Sequence, residues 1–371
     1  MIVHLMLDSV YTNNFIRTLI EQKRINENKV LLVYYETDVK YIDYEVKKNI
    51  IQVRRKPGIF KRSEEYEILC DNIGTDDEVY IHYLGTEFVW TVIGTKARQY
   101  NWILWGGDFY PYCNVELYDN ETKEILGKIH NYEENTVKVK VKEYISLQLR
   151  KKAIKKIDYM LTWNNYDYEL VRKQFSIKAK LKYFMYPKVN DYKVLDEISN
   201  AKIHNEDELV IQIGNSGSYT NNHISILRKL KKYKNENKLK IIAPLSYGDK
   251  VYIDDVIKEG KEIFGDKFQP ITQHNPLEEY YNLLNRVDIA IMNHHRQEGA
   301  GNIITLLYLG KKVYFNKQVT TYKTFKEWGF NIYNIEDIKE STFDDLFKIR
   351  KEEIAVNKRI IKEKFNDDAM F

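Results

Sequence analysis

Two short segments in the second half of the chain carry the residue types needed to grip an anion. Ile211-Gln212-Ile213-Gly214-Asn215-Ser216-Gly217-Ser218 runs from an apolar, strand-like stretch into a turn of glycines, amides and small hydroxyls. Asp288–Asn293 behaves alike, leading through His294, His295, Arg296, Gln297 and Glu298 to Gly299-Ala300-Gly301-Asn302. Glycine lets backbone N–H groups approach a phosphate with no Cβ in the way. A helix that starts after such a turn offers unpaired N–H groups and about half a positive charge. Arg296 adds a planar fork of donors that matches phosphate oxygens, and His294 and His295 are further donors. Either segment alone also fits a plain strand-to-helix turn; the two together favour a diphosphate grip. In a third segment, Ala243-Pro244-Leu245-Ser246-Tyr247-Gly248, Ser246 could bond a ribose or phosphate and Tyr247 or Leu245 could pack on a base.

In the first half, Trp105-Gly106-Gly107-Asp108-Phe109-Tyr110 follows an apolar run. Its glycines put Asp108 at the carboxyl end of a strand, where it could accept a proton as a general base or serve as a helix cap. His82 and Glu87 flank Tyr83-Leu84-Gly85-Thr86 in a comparable position, and with Trp105 and Tyr110 they form the candidate acceptor side. No metal is expected. His294 and His295 are adjacent, not an i, i+4 pair on one helix face, and no Asp-x-Asp lies in their loop. Arg296 and the helix dipole then supply the charge that a leaving diphosphate needs, so Arg296 joins Asp108 as a candidate catalytic residue.

The elements that must position these groups alternate along the chain. Apolar runs at Ile2–Leu7, Val30–Tyr35, Ile50–Val53, Glu78–Tyr83, Asn101–Trp105 and Asp158–Trp163 are separated by polar or helical stretches such as Tyr11–Lys23 and Asn165–Phe175. Lys123–Glu143 interrupts the series with alternating Val and Lys. The pattern restarts at Glu208–Ile213 and continues through Lys240–Pro244, Phe268–Ile271, Asp288–Asn293 and Lys312–Phe315, ending in a long charged amphipathic helix over Asp344–Lys364. Strand alternating with helix predicts parallel βαβ units and open, doubly wound sheets. The divisions expected are an N-terminal Rossmann-like domain over 1–187, a polar linker over 188–206, a second Rossmann-like domain over 207–345 and a C-terminal helix over 346–371.

With 371 residues, a charged fraction of 30% and a net charge of +4, the chain reads as a folded two-domain α/β protein without the strong positive field of a nucleic-acid binder. Two cysteines, Cys70 and Cys113, build neither a disulfide framework nor a zinc site. No apolar run approaches the ~20 residues that cross a bilayer, and the N-terminus lacks the marks of a secretory signal. Membrane contact, if made, is peripheral. Its candidate is the Arg54-Arg55-Lys56-Pro57-Gly58-Ile59-Phe60-Lys61-Arg62 loop, where basic residues surround an apolar pair; Arg150–Lys156 is a second basic stretch. Such clusters suit anionic lipid surfaces.

The Gly214–Gly217 turn with Asn222-His223 behind it, the Arg296–Gly301 loop and the Trp105–Tyr110 segment resemble the bacterial 4-acetamido-4,6-dideoxy-galactose (Fuc4NAc) transferase family. Its members move that sugar from a dTDP donor to a lipid-linked disaccharide during enterobacterial common antigen synthesis. The resemblance runs through Val210–Asn316 and is patchier before it. It implies a metal-independent GT-B glycosyltransferase with a C-terminal helix packing across its domains, working without a cofactor at the inner face of the cytoplasmic membrane. Its partners would be a nucleotide-sugar, a lipid-linked or polysaccharide glycan acceptor and an anionic lipid surface, with no nucleic acid. Two features depart from the family: Leu7-Asp8-Ser9 stands where a Gly-containing turn is expected, and Lys123–Glu143 is unfamiliar. Two other readings fit the same loops, another nucleotide-sugar enzyme on this scaffold, such as a hydrolysing epimerase, and a non-catalytic basic surface-binding protein.

Overall fold

The computed structural model of the chain describes residues 1–56, 60–130, 137–187, 191–200 and 207–365. The chain divides into two compact units: Met1–Asn114 with Asn135–Val189 and Asn366–Phe371, and Val115–Glu134 with Asn190–Phe365. Two findings refine the expected boundaries. Val115–Glu134 lies inside the stretch 1–187 yet belongs to the second unit. The stretch 188–206 contains a helix, Tyr192–Asn200, also of the second unit, while residues 188–190 and 201–206 lie outside the described residues.

The first unit is built on a seven-stranded sheet of β1 (Ile2–Leu7), β2 (Asn28–Tyr34), β3 (Ile50–Arg54), β4 (Glu78–His82), β5 (Gln99–Ile103), β6 (Tyr159–Leu161) and β7 (Lys180–Lys182), in the order β3-β2-β1-β4-β5-β6-β7. The second unit has β8 (Leu209–Ile213), β9 (Leu239–Pro244), β10 (Phe268–Ile271), β11 (Ile289–Met292), β12 (Lys312–Phe315) and β13 (Tyr333–Asn334), in the order β10-β9-β8-β11-β12-β13. Every pairing is parallel. A parallel sheet covered on both faces needs apolar residues at successive positions, which is why β11 reads as an unbroken apolar run and β1 and β8 as runs broken only by the buried His4 and Gln212. Both orders reverse direction at one point, between β1 and β4 and again between β8 and β11. Open α/β sheets bind ligands at the carboxyl side of that switch.

Three local departures have physical causes. The alternating Val-Lys stretch lies within a helix, Val137–Ile154, preceded by another at Asn120–His130; Lys and Glu are good helix formers, and the alternation is too short to be held as a strand without neighbours. The first βα turn manages without glycine. Ser9 Oγ caps the Val10–Glu21 helix by accepting from Thr12 N at 3.1 Å, and the Asp8 carboxylate accepts from Lys40 N and Tyr41 N. The C-terminal helical segment is two helices, Phe343–Phe347 and Lys351–Lys364. The latter sets Ile354 close over Gly310, within its own unit.

Candidate active site

In the second unit, the loops after β8 and β11 flank the switch point and are joined by side chains. Asn221 is the hub. Its Oδ1 accepts from Asn215 N at 2.8 Å, while its Nδ2 donates to Ser216 Oγ at 3.1 Å and to Glu298 Oε1 at 3.3 Å. Since Oδ1 accepts, the His294 Nε2 lying 3.0 Å from it carries a proton and donates. Thr220 Oγ1 donates to Glu298 Oε2, and Arg296 Nε donates to the same oxygen at 2.9 Å. Burial pushes the Glu298 carboxyl up, but His294 and Arg296, with the hydrogen bonds from Thr220 and Arg296, hold it below its ordinary value. Arg296 thus spends only Nε on Glu298. Its Nη1 and Nη2 make no hydrogen bond among the described residues, and its side chain is 21% exposed.

The glycines are required by close approach. Gly214 has φ +63°, and a Cβ there would sit 2.4 Å from His223 Nε2. Gly299 has φ +66° and would strike Asn215 at 2.8 Å. Gly299 caps the Ala300–Tyr308 helix with no side-chain bond, so the N–H groups of Ala300, Gly301 and Asn302 have no partner within the helix. The third loop is zipped to the first: Gly217 N donates to Tyr247 O at 2.7 Å and Asp249 N to Gly217 O at 3.1 Å. Ser246 is half-buried beside this zipper, and Tyr247 is exposed. His295 Nδ1 lies 3.1 Å from Glu116 O, Gln297 is half-buried, and Asn302 Oδ1 accepts from Tyr280 Oη.

Behind the loops lie the buried Asn222 and His223, together with Asp119 and Ser225, which the sequence pattern did not single out. Asn222, at φ +50°, donates from Nδ2 to Leu117 O, Thr220 O and Asn293 O, and its Oδ1 accepts from Asp119 N. The Asp119 carboxylate accepts from Ser225 Oγ and Asn293 Nδ2. His223 Nε2 and Asn215 Oδ1 are buried without a hydrogen-bond partner among the described residues. Burial, reinforced by nearby His294, lowers the His223 pKa to about 3, so its imidazole is neutral. Among the described residues no group of three His, Cys, Asp or Glu side chains is arranged to hold a metal.

The first unit corrects several expectations. Asp108 is not an accessible base. It is 1% exposed, and its carboxylate accepts from Leu84 N at 2.9 Å, Trp102 Nε1 at 2.7 Å and Trp105 N at 3.1 Å. Burial pushes its pKa up, against the pull of those three donors and of Arg150. Arg150 is itself buried, donating to Leu84 O and Asp108 O, so it leaves the basic surface stretch. Tyr110 is enclosed and donates to Asp167 Oδ1 at 2.6 Å. Glu87 is held by Arg55 Nε at 3.3 Å and by Tyr35 Oη at 3.1 Å.

In the Arg54–Arg62 segment, Phe60 departs from the expected exposed apolar pair. Phe60 is 4% exposed and packs under the Arg55 guanidinium, 5.2 Å from its ring centre. Arg54 donates to Glu36 O, and Lys61 lies over the Trp90 ring. Pro57–Ile59 and the Arg62 side chain lie outside the described residues. His82 is buried between His4 and Tyr186, and Trp105 is half-buried with its Nε1 bonded to Tyr186 Oη at 2.8 Å.

The same scaffold recurs among solved structures. The N-terminal domain of Candida albicans trehalose-6-phosphate phosphatase aligns at a TM-score of 0.65 with 10% identity, covering 99% of this chain and 94% of that one. The E. coli trehalose-6-phosphate structure bound with UDP-2-fluoro glucose aligns at 0.62 with 10% identity, covering 98% and 96%. WaaG, a glycosyltransferase involved in lipopolysaccharide biosynthesis, aligns at 0.57 with 10% identity, covering 100% and 96%. At such identities the likeness speaks for the fold, two Rossmann-like units of GT-B type. The family model for 4-alpha-L-fucosyltransferase, glycosyl transferase group 56, matches residues 129–366, a span that takes in β8, β11 and both of their loops. The chain belongs to that family and is a glycosyltransferase.

Proposed function

We propose that this glycosyltransferase moves an amino-deoxy hexose from a dTDP- or UDP-linked donor to a lipid-linked or polysaccharide acceptor at the inner face of the cytoplasmic membrane. The donor diphosphate lies at the loops after β8 and β11. The observation that carries this reading is the state of Arg296: Glu298 fixes its Nε, the terminal fork makes no hydrogen bond among the described residues, and four residues on begin helix N–H groups that have no partner within their helix. A diphosphate answers both sets of donors. As the anomeric C–O bond breaks, negative charge grows on the departing phosphate, and donors already in place stabilise it without reorganising. Ser246 and Tyr247 lie on the nucleoside side.

The membrane part of the reading shifts from the 54–62 loop to the helix Val137–Ile154. Val141, Tyr144 and Ile145 share one face and are 50%, 64% and 51% exposed, and Lys151 and Lys152 follow on the same helix. An exposed apolar stripe with lysines beside it fits an anionic lipid interface. No described helix is long and apolar enough to cross a membrane.

A melting-temperature panel with dTDP, UDP, GDP and CMP tests the donor assignment, because a ligand that binds only the native state must raise the transition. The expected outcome is a rise with dTDP or UDP that shrinks in Arg296→Ala. No rise with any of the four overturns it.

A further inference from the structure

The carboxyl edge of the first sheet gathers aromatic rings from several strands. Tyr11 lies in the first turn after β1, Tyr83 directly follows β4, Trp105 lies two residues beyond β5, and Tyr186 follows β7. The Trp105 ring is 5.5 Å from Tyr11, 5.4 Å from Tyr186 and 6.3 Å from Tyr83, each edge-on. These rings are not core. Tyr11 is 42% exposed and the other three are half-buried, whereas Trp102, Phe109 and Tyr110 nearby are enclosed.

The cluster is held rigidly. Asn28 Nδ2 donates to Arg24 O, so Asn28 Oδ1 must accept from His4 Nε2, 2.8 Å away. His4 Nδ1 then accepts from His82 Nε2 at 3.0 Å, and His82 Nδ1 accepts from Tyr186 Oη at 2.6 Å. Tyr186 Oη in turn accepts from Trp105 Nε1. Each donor in this chain has one direction open to it when both imidazoles are neutral, and the indole plane is fixed at its end. Tyr83 is fixed differently. Its φ of +78° is a strained setting for a residue with a side chain, and its ring sits between Gly85 and Gly107, where a Cβ on either would come within 3.4 Å of it. Strain concentrates where function needs it, and β1 and β4 flank the switch point of this sheet.

We infer that these rings form a carbohydrate platform that takes the apolar C–H face of a pyranose ring in the glycan acceptor, with Trp105 and Tyr11 as its principal surfaces. This rests on the glycosyltransferase reading above. Aromatic faces carry negative charge density and sugar C–H groups are weakly positive, so stacking adds attraction to buried area. The Trp105 N–H is occupied by Tyr186, so the indole offers the sugar its ring and not its donor.

Saturation-transfer NMR on the full chain, with N,N′-diacetylchitobiose as probe, tests the platform, and the dTDP melting shift is measured in parallel. Ring C–H protons of the disaccharide should receive saturation from the wild-type protein. The signal should fall about fivefold in Tyr11→Ala and in Trp105→Ala, and persist in Trp105→Phe, which keeps a stacking face. The dTDP shift should be unchanged in all three. Tyr11 is exposed on a helix, so its variant remains informative if Trp105→Ala fails to fold. No saturation in the wild-type protein, or its survival in both alanine variants, overturns the platform. Saturation without any dTDP shift supports the platform and sinks the donor assignment instead.

Discussion

Arg296 Nε and Glu298 Oε2 stand 2.9 Å apart, and the same carboxylate takes Thr220 and Asn221 from the neighbouring loop. One acidic group therefore joins the loops after β8 and β11 and orients a guanidinium whose terminal nitrogens make no hydrogen bond among the described residues. Arg296→Ala should lower turnover by about 100-fold or more, the scale seen when one donor to developing charge is removed. The pair is mostly buried, but Glu298 keeps Thr220 and Asn221 as donors, so its loss should cost stability about 1–3 kcal/mol. Specific activity and urea unfolding on the same preparation check this. Near-normal turnover in that variant defeats the assignment.

Gly248 tests the loop zipper. Its φ is +135°, and a Cβ there would lie 2.2 Å from the Gly217 carbonyl carbon. Alanine forces the loops after β8 and β9 apart and adds backbone strain of about 1–3 kcal/mol. Gly248→Ala should lower the melting temperature and weaken the dTDP shift together. Gly127→Ala is the control, since nothing lies within 4 Å of a Cβ at Gly127, and a helical Gly-to-Ala change gains about 0.5–1 kcal/mol.

Asp108 separates structure from catalysis. An Asn there offers one acceptor where three N–H groups now point at two carboxylate oxygens, and its NH2 would face donors. The loss includes charge-assisted bonds of about 1.5–3 kcal/mol each. Asp108→Asn should therefore destabilise the first unit markedly, with activity per folded molecule falling far less. A variant of wild-type stability whose turnover has collapsed would restore the base assignment.

These cases show which parts of the molecule are legible in sequence. The parallel strands announce themselves because burial on both faces demands unbroken apolar runs, and the turns at Gly214 and Gly299 because close approach demands glycine. Lys180–Lys182 passes unnoticed as a strand because an edge position lets Lys flank a single Leu. Asp119 gives no signal, although it meets Asn222 and Ser225 more than 100 residues along the chain. Asp108 and Phe60 mislead for one shared reason: burial depends on partners such as Arg150 and Glu87, and spacing does not reveal them.

Four histidines set the acid limit of the fold. Burial lowers the pKa of His4 to about 4 and of His223 to about 3, and it also lowers those of His82 and His294. Unfolded histidine binds a proton near pH 6.5 and these folded ones do not, so the unfolded state gains protons first as pH falls. Stability is full above about pH 6.5 and drops below it, by up to ~1.4 kcal/mol per pH unit for each histidine. Between pH 6.5 and 5, the urea midpoint should fall steeply, before most carboxylates titrate. A flat midpoint across that window contradicts the buried-neutral assignment.

The membrane assignment makes opposite predictions for two basic regions. In the 54–62 loop, Arg55 is committed to Glu87 and Phe60 is buried beneath it, so neutralising Arg54 and Lys61 should leave vesicle binding nearly unchanged. On the helix Val137–Ile154, Tyr144 and Ile145 are exposed on one face, and changing both to Glu puts like charge and lost apolar area against an anionic surface. Each basic residue near such a surface contributes about 1 kcal/mol, and burying an apolar side chain contributes about 1.5–3 kcal/mol. The double variant should therefore weaken flotation with phosphatidylglycerol vesicles by 10-fold or more, on the order of 10²-fold, with the melting temperature unchanged because neither side chain packs in the core. Binding should also decline with salt, since screening acts on the lysines and not on the apolar stripe. Flotation that survives the double variant and is lost on neutralising Arg54 and Lys61 would return the contact to the loop.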